Sequence, residues 1–152
     1  MSIFPTKILL ATDGSEEAIL AARTAIELAQ KTDSELHIVH ARRMPALSSY
    51  SAAETLTTSA VDEEAMRKRF QGFLDEQVER VKAQGGSVAQ AHLRIGSPAR
   101  EVVELAEEID AGLIVMGSRG LGGMKRTLMG SVSESVIRHA HCPVLVVREE
   151  KR

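Results

Sequence analysis

The chain has 152 residues and a formal net charge of -2 at pH 7, from 19 Lys and Arg against 21 Asp and Glu. That length suits one ordinary domain with a substantial core, and the charge gives no general pull towards DNA, RNA or anionic lipid. Aromatics are too sparse to form a base-stacking surface, apolar runs are too short to span a bilayer, and the lone Cys142 has no internal partner. Neither a nucleic-acid nor a membrane partner is therefore expected, and a cytoplasmic setting is.

Residues 7–12 form a first strand, Lys-Ile-Leu-Leu-Ala-Thr, almost continuously apolar and so expected to be buried on both faces of a parallel sheet. Asp13-Gly14-Ser15-Glu16 breaks the run and has the spacing of a capping box, with Asp13 as the cap of a helix over about 15–31. Ala18, Ala22, Ala25 and Ala29 give that helix an apolar stripe. A second strand follows over 35–41, with His37 and His40 on opposite faces.

Residues 42–60 contain Pro45, many Ser and Thr and few large apolar residues, and read as a mobile loop. A second helix is expected over about 61–83, with Met66, Phe70, Phe73, Leu74, Gln77, Val78 and Val81 along one face and Gly85-Gly86 as its stop. Residues 87–95 alternate as an edge strand does. Ser97-Pro98 opens a third helix, with Ser97 as cap and Pro98 in the first position. A fourth strand ends at Met116, a fourth helix covers about 131–139, and a last strand runs over 143–148. Strands alternating with helices imply right-handed βαβ units, a mostly parallel open sheet and helices on both faces.

The stretch from Gly117 to Ser131 lies between a buried strand and a helix start. It contains Arg119, Lys125 and Arg126, and Gly112 to Ser133 contains no Asp or Glu. A glycine-rich loop feeding a helix N-terminus presents backbone N–H groups to an anion. Its spacing is neither that of a P-loop ATPase, because Gly123 stands where Lys is required, nor that of a dinucleotide-binding loop. It reads as a phosphate cradle, the alternative being a glycine-rich turn that lets the fourth helix pack closely.

Ser131-Val132-Ser133-Glu134 also fits a capping box, and capping competes with a ligand for the same N–H groups. Asp13, at the carboxyl end of the first strand, suits phosphates only if a Mg²⁺ ion bridges them, or else faces a ribose or base. His139, His141 and Cys142 lack a second ligand cluster, so a zinc site is not favoured. No nucleophile, base and orienting group stand out as a set, so no catalytic residue is assigned.

The glycines together, Gly117-x2-Gly120-x9-Gly130-Ser131, resemble the nucleotide-binding signature of the universal stress protein family. The likeness runs from the Ile8–Ser15 stretch, through His40-Ala41 and Gly112–Gly120, to the closing Cys142–Val147 stretch. It implies a single-domain α/β fold over 1–152 with strand order 3-2-1-4-5, a homodimer, and an ATP-binding stress-response or regulatory module.

By that likeness Ala11, Thr12 and Asp13 line the adenosine side, with Val39 and Ala41 near the base. Met116, Gly117, Arg119 and Gly120 approach the ribose and phosphates, and Gly130, Ser131, Val132 and Ser133 bind phosphate oxygens. AMP or another adenine nucleotide is also compatible. A slow ATPase or phosphoryl-accepting protein, and a nucleotide-free scaffold, are the competing expectations. In a sheet of that order Val144, Leu145, Val146 and Val147 form an exposed apolar edge, a hazard that pairing with a second copy removes.

Overall fold

The structure is a computed structural model that describes residues 2–45, 52–118 and 129–149, with the side chains of 52–61 outside that description. In chain order the elements are β1 (Lys7–Ala11), α1 (Glu16–Thr32), β2 (Glu35–Arg42), α2 (Ala52–Ala83), β3 (Gln90–Ile95), α3 (Pro98–Glu108), β4 (Leu113–Gly117), α4 (Ser131–His139) and β5 (Val144–Val147). All four strand pairings are parallel, in the order β3-β2-β1-β4-β5. The expected topology is therefore the observed one.

Strand alternation divides the core into two layers. Ile8 and Leu10 of β1, with Leu36 and Ile38 of β2, join Ala21, Ala25 and Ala29 of α1 and Leu74 and Val81 of α2 on one face. Leu9, Val39, Ile114 and Met116 turn the other way onto Val102, Leu105 and Ala106 of α3 and Val136 of α4. The alanines of α1 bring its axis close to the sheet, although Ala22 is only partly buried and Ala21 carries the stripe instead. Truncating Leu74, fully enclosed between α2 and the sheet, to Ala removes about 2–5 kcal/mol of stability.

Three local expectations fail, each for a visible reason. First, α1 is capped by Ser15, whose Oγ accepts from the Ala18 N–H at 3.2 Å, and not by Asp13. Asp13 Oδ1 instead accepts the Ser15 N–H at 2.9 Å, closing a turn one step before the helix. Second, α2 begins at Ala52, so helix replaces much of the expected 42–60 loop, of which residues 46–51 lie outside the described part. The Ser and Thr residues there suggested a loop but do not forbid a helix.

Third, α4 has no capping box. Its N-cap is Gly130, no side chain caps it, and the Glu134 carboxylate pairs along the helix with Arg138 at 3.2 Å. The Ser97 position is as expected, but its hydroxyl accepts from Arg43 at 3.3 Å and makes no cap bond.

A candidate ligand cleft at the carboxyl edge of the sheet

Parallel strands end on one edge, and the order reverses where β2 and β4 flank β1. In open sheets of this kind ligands bind outside the strand ends at that switch. A cleft of about 390 Å³ lies there. Its apolar wall consists of Ala11, Val39, Ala41 and Met116 from three strands and Pro98 and Val102 from α3. Ala11 and Ala41 are small, which keeps the floor open above the fully buried Val39.

The exit of β1 is held twice by β2. The Thr12 N–H donates to the Val39 carbonyl at 3.0 Å. The Thr12 carbonyl accepts from His40 Nδ1 at 3.0 Å; because a carbonyl only accepts, Nδ1 carries the proton. His40 is almost wholly enclosed, with its ring centroid 4.3 Å from that of Phe73 and 6.0 Å from that of Phe70. Burial lowers its pKa, outweighing the opposing pull of the Thr12 carbonyl, so the imidazole is neutral at pH 7. Gly14 follows with φ +82°, and a Cβ there would stand 2.8 Å from the Phe73 ring. Asp13 is thus set at the cleft by a fixed strand end and a turn that excludes side chains.

The opposite end of the cleft is the start of α4. The backbone N–H groups of Ser131, Val132 and Ser133 belong to the first helical turn, where no intrahelical carbonyl is in reach. With Gly130 as the N-cap, no side chain among the described residues caps them either, and all four residues line the cleft. The helix dipole adds a partial positive charge at this point. At the first turn of α1, by contrast, Ser15 supplies a side-chain cap; acidic residues stand in the first turn of both helices, Glu16 and Glu17 in α1 and Glu134 in α4. Of the three helix starts at the cleft, α1 has its cap in Ser15 and α3 gives up an N–H to Pro98, which leaves α4 as the one with its full set of first-turn N–H groups to offer an anion.

The universal stress protein family model matches residues 5–148. The chain belongs to that family. A universal stress protein of Methanocaldococcus jannaschii is 36% identical over 152 residues, an alignment covering 96% of this chain and 84% of the relative. The Lactobacillus plantarum universal stress protein UspA superposes with a TM-score of 0.78 over 95% of this chain and 99% of that one, at 23% identity, a likeness of fold. A universal stress protein solved in complex with cAMP superposes with a TM-score of 0.67, at 26% identity, over 97% of this chain and 99% of that one.

In this universal stress protein the cleft brings together Ala11, Thr12, Asp13, Val39, Ala41, Met116, Gly117, Gly130, Ser131, Val132 and Ser133. Arg119 and Gly120 lie outside the described residues, as do Lys125 and Arg126. Two members of the set have structural duties that the spacing alone did not reveal. A Cβ on Gly117 would come within 3.0 Å of the Glu17 backbone and Cβ and 3.1 Å of the Ala18 nitrogen, so this glycine admits α1 against β4. The expected alternative, close packing of the fourth helix, is not what Gly117 shows: it is helix α1 that presses on it.

The Ser133 hydroxyl donates to the Ser118 carbonyl at 2.8 Å, with Gly117 O at 3.1 Å, and Ser133 is 2% exposed. Its proton is committed to the chain, so only its backbone N–H is left to donate to an anion.

Ser15, Ala18, Arg42, Pro98 and Val102 also line the cleft. Pro98 and Val102 carried a signal as the start of an amphipathic helix, but their approach to the ends of β1 and β2 is a product of tertiary packing. Arg42 stands over the Phe70 ring at 5.0 Å, a cation–π contact that anchors the end of β2 against α2. Asp13 is the one carboxylate among the described lining residues, and one of its oxygens is taken by Ser15. A single carboxylate completed by phosphate oxygens and water is a donor set that Mg²⁺ accepts. No helix among the described residues is long and apolar enough to cross a membrane.

Proposed function

We propose that this protein is a homodimeric ATP-binding regulatory module. The observation that carries the reading is the pairing of an apolar wall at one end of a single cleft with uncapped helix N–H groups at the other. Ala11, Val39, Ala41 and Val102 suit the flat apolar faces of a base. Asp13 suits ribose hydroxyls, or a Mg²⁺ ion between it and the phosphates. The N–H groups of Ser131, Val132 and Ser133 suit phosphate oxygens, which approach a helix start without a dedicated base or nucleophile. A family member solved in complex with cAMP supports an adenine nucleotide as the ligand class. When bound, Mg²⁺ would neutralise phosphate charge beside Asp13.

The second copy is proposed at β5. The Ile114 N–H donates to the Pro143 carbonyl and the Ser118 N–H to the Val147 carbonyl, both at 3.0 Å, so the odd-numbered residues of β5 face β4. Alternation then turns the N–H and C=O groups of Val144 and Val146 outward. A two-fold mate offering the same edge would satisfy both.

A substitution that removes the Ser131 N–H together with its hydroxyl tests the phosphate assignment, with Ser131→Ala, which removes the hydroxyl alone, as its control. Ser131 occupies the first position of α4, where proline is tolerated. Gly130 before it already has φ -67° and ψ 155°, the conformation that a following proline demands. Titration calorimetry of the wild type should show ATP binding. Ser131→Pro should bind ATP about tenfold more weakly, the loss of one charge-assisted hydrogen bond, and adenosine equally well. Equal ATP affinity in Ser131→Pro and the control would sink the assignment.

A further inference from the structure

Ser118 is the last described residue of β4's exit, and each of its polar groups reaches a different element. Its N–H donates to the Val147 carbonyl of β5 at 3.0 Å. Its carbonyl accepts the Gly130 N–H at 2.7 Å and the Ser133 hydroxyl at 2.8 Å, both at the start of α4. Its own hydroxyl donates to Glu17 Oε2 in the first turn of α1. Ser118 is 1% exposed and Glu17 5% exposed, so this junction is shielded from water.

A carboxylate is an unusual side chain to bury. Here it occupies the second position of α1, where the helix dipole favours an anion. The Ser118 hydroxyl is the donor in this bond, and a carboxyl oxygen of Glu17 is the acceptor. The backbone of Glu17 is also what Gly117 makes room for. One residue therefore touches β4's exit twice, by van der Waals packing at Gly117 and by a hydrogen bond at Ser118. Displacing Ser118 would move the carbonyl on which both Gly130 and Ser133 hang, and with it the first turn of α4.

We propose that Glu17 is a positioning residue for the anion-holding end of the cleft, acting through Ser118 to set where α4 presents its N–H groups. The ligand part of this inference rests on the nucleotide reading above. It separates Glu17, which lies beneath the cleft, from Asp13, which lines it.

The test compares AMP with adenosine, which lacks the phosphate, in Ser118→Ala, Glu17→Ala, Glu17→Gln and the double alanine variant. Ser118→Ala deletes the one side-chain bond and leaves the backbone bonds of Ser118 available, so it serves even if Glu17→Ala does not fold. Positioning predicts about a tenfold loss of AMP affinity in either alanine variant, with adenosine affinity held within about twofold. The double variant should lose no more than Glu17→Ala alone, because Ser118→Ala breaks a link that Glu17→Ala has already broken. Glu17→Gln, which keeps an acceptor oxygen, should recover most of the loss.

Parallel losses for AMP and adenosine, or additive losses in the double variant, would overturn the proposal. If the wild type binds neither compound, the nucleotide reading fails by itself. The positioning role is then decided by amide hydrogen exchange in the free protein. Faster exchange at Gly130 in Ser118→Ala, with Leu10 unchanged, supports it, and unchanged exchange at Gly130 overturns it.

Discussion

His40 donates its Nδ1 proton to the carbonyl of Thr12 at 3.0 Å, joining the second strand to the exit of the first just where the cleft begins. The ring has been moved out of water to make that bond, and desolvation lowers its pKa from the ordinary 6.5. Burial does the same to His92 on β3, helped by His37 and Arg94 and opposed by Glu108.

Both shifts have the same sign. A base whose folded pKa is depressed binds fewer protons folded than unfolded, so its contribution is complete above about 6.5 and is lost as pH falls from there towards the folded value. Urea unfolding at pH 7.5 and pH 5.5 should therefore show lower stability at the acid end. His40→Leu should flatten part of this slope and, by leaving the Thr12 carbonyl without its donor, cost about 1–3 kcal/mol at pH 7.5.

Gly117 gives a prediction about folding that precedes any statement about ligands. Alanine there drives a methyl group to 3.0 Å from the Glu17 backbone, and helix α1 has to retreat. Overpacking of this kind costs about 1–3 kcal/mol, a fall of roughly 2–10 °C in the melting temperature of a domain this size. Calorimetry on the ligand-free protein measures it. Weaker nucleotide binding by Gly117 variants is therefore no evidence of contact between Gly117 and a ligand.

The two serines of α4's first turn separate cleanly. Ser133→Ala removes the donor to the Ser118 carbonyl and should lower stability by about 1 kcal/mol. Ser131 is exposed, with no side-chain hydrogen bond among the described residues, and Ser131→Ala should stay within about 0.5 kcal/mol of wild type. Equal effects in paired denaturation curves would contradict this division of labour.

For the proposed dimer, Val146→Pro is the sharpest change. Proline removes an N–H on the outer edge of β5, and an edge strand tolerates that loss within its own sheet. Sedimentation velocity should show the wild type as a dimer and the variant as a monomer, with circular dichroism unchanged. A variant that remained dimeric would place the interface elsewhere.

The sheet was legible in the sequence because its signals are strong and mutually consistent. Continuous apolar runs at Ile8–Leu10 and Leu113–Met116, each followed by a break and a helical stripe, admit few arrangements besides a parallel sheet. Helix starts were read less well. Ser131-Val132-Ser133-Glu134 satisfies the pattern of a capping box, yet the chain enters α4 one residue earlier, in an extended Gly130. A pattern of residue types does not carry the dihedral angle that decides which residue is the cap.

Most of the candidate cleft was implied by the family likeness, because the strand ends and the glycine spacing that carry that likeness lie along the chain. Pro98, Val102 and Arg42 were not, because what brings them to it is the packing of α3 and α2 on the sheet. The structural duties of Gly117 and Ser133 were hidden for the same reason. Each is imposed by a partner far away in sequence.

The 2.7 Å bond from the Gly130 N–H to the Ser118 carbonyl also has a consequence for how such a chain can diverge. It closes the base of the interval between β4 and α4 as part of the native fold, so the entropy of bringing those two ends together is lost on folding rather than on capture of a ligand. Divergence at Ser118 or Gly130 themselves therefore acts first on where α4 starts, and only through that on the cleft.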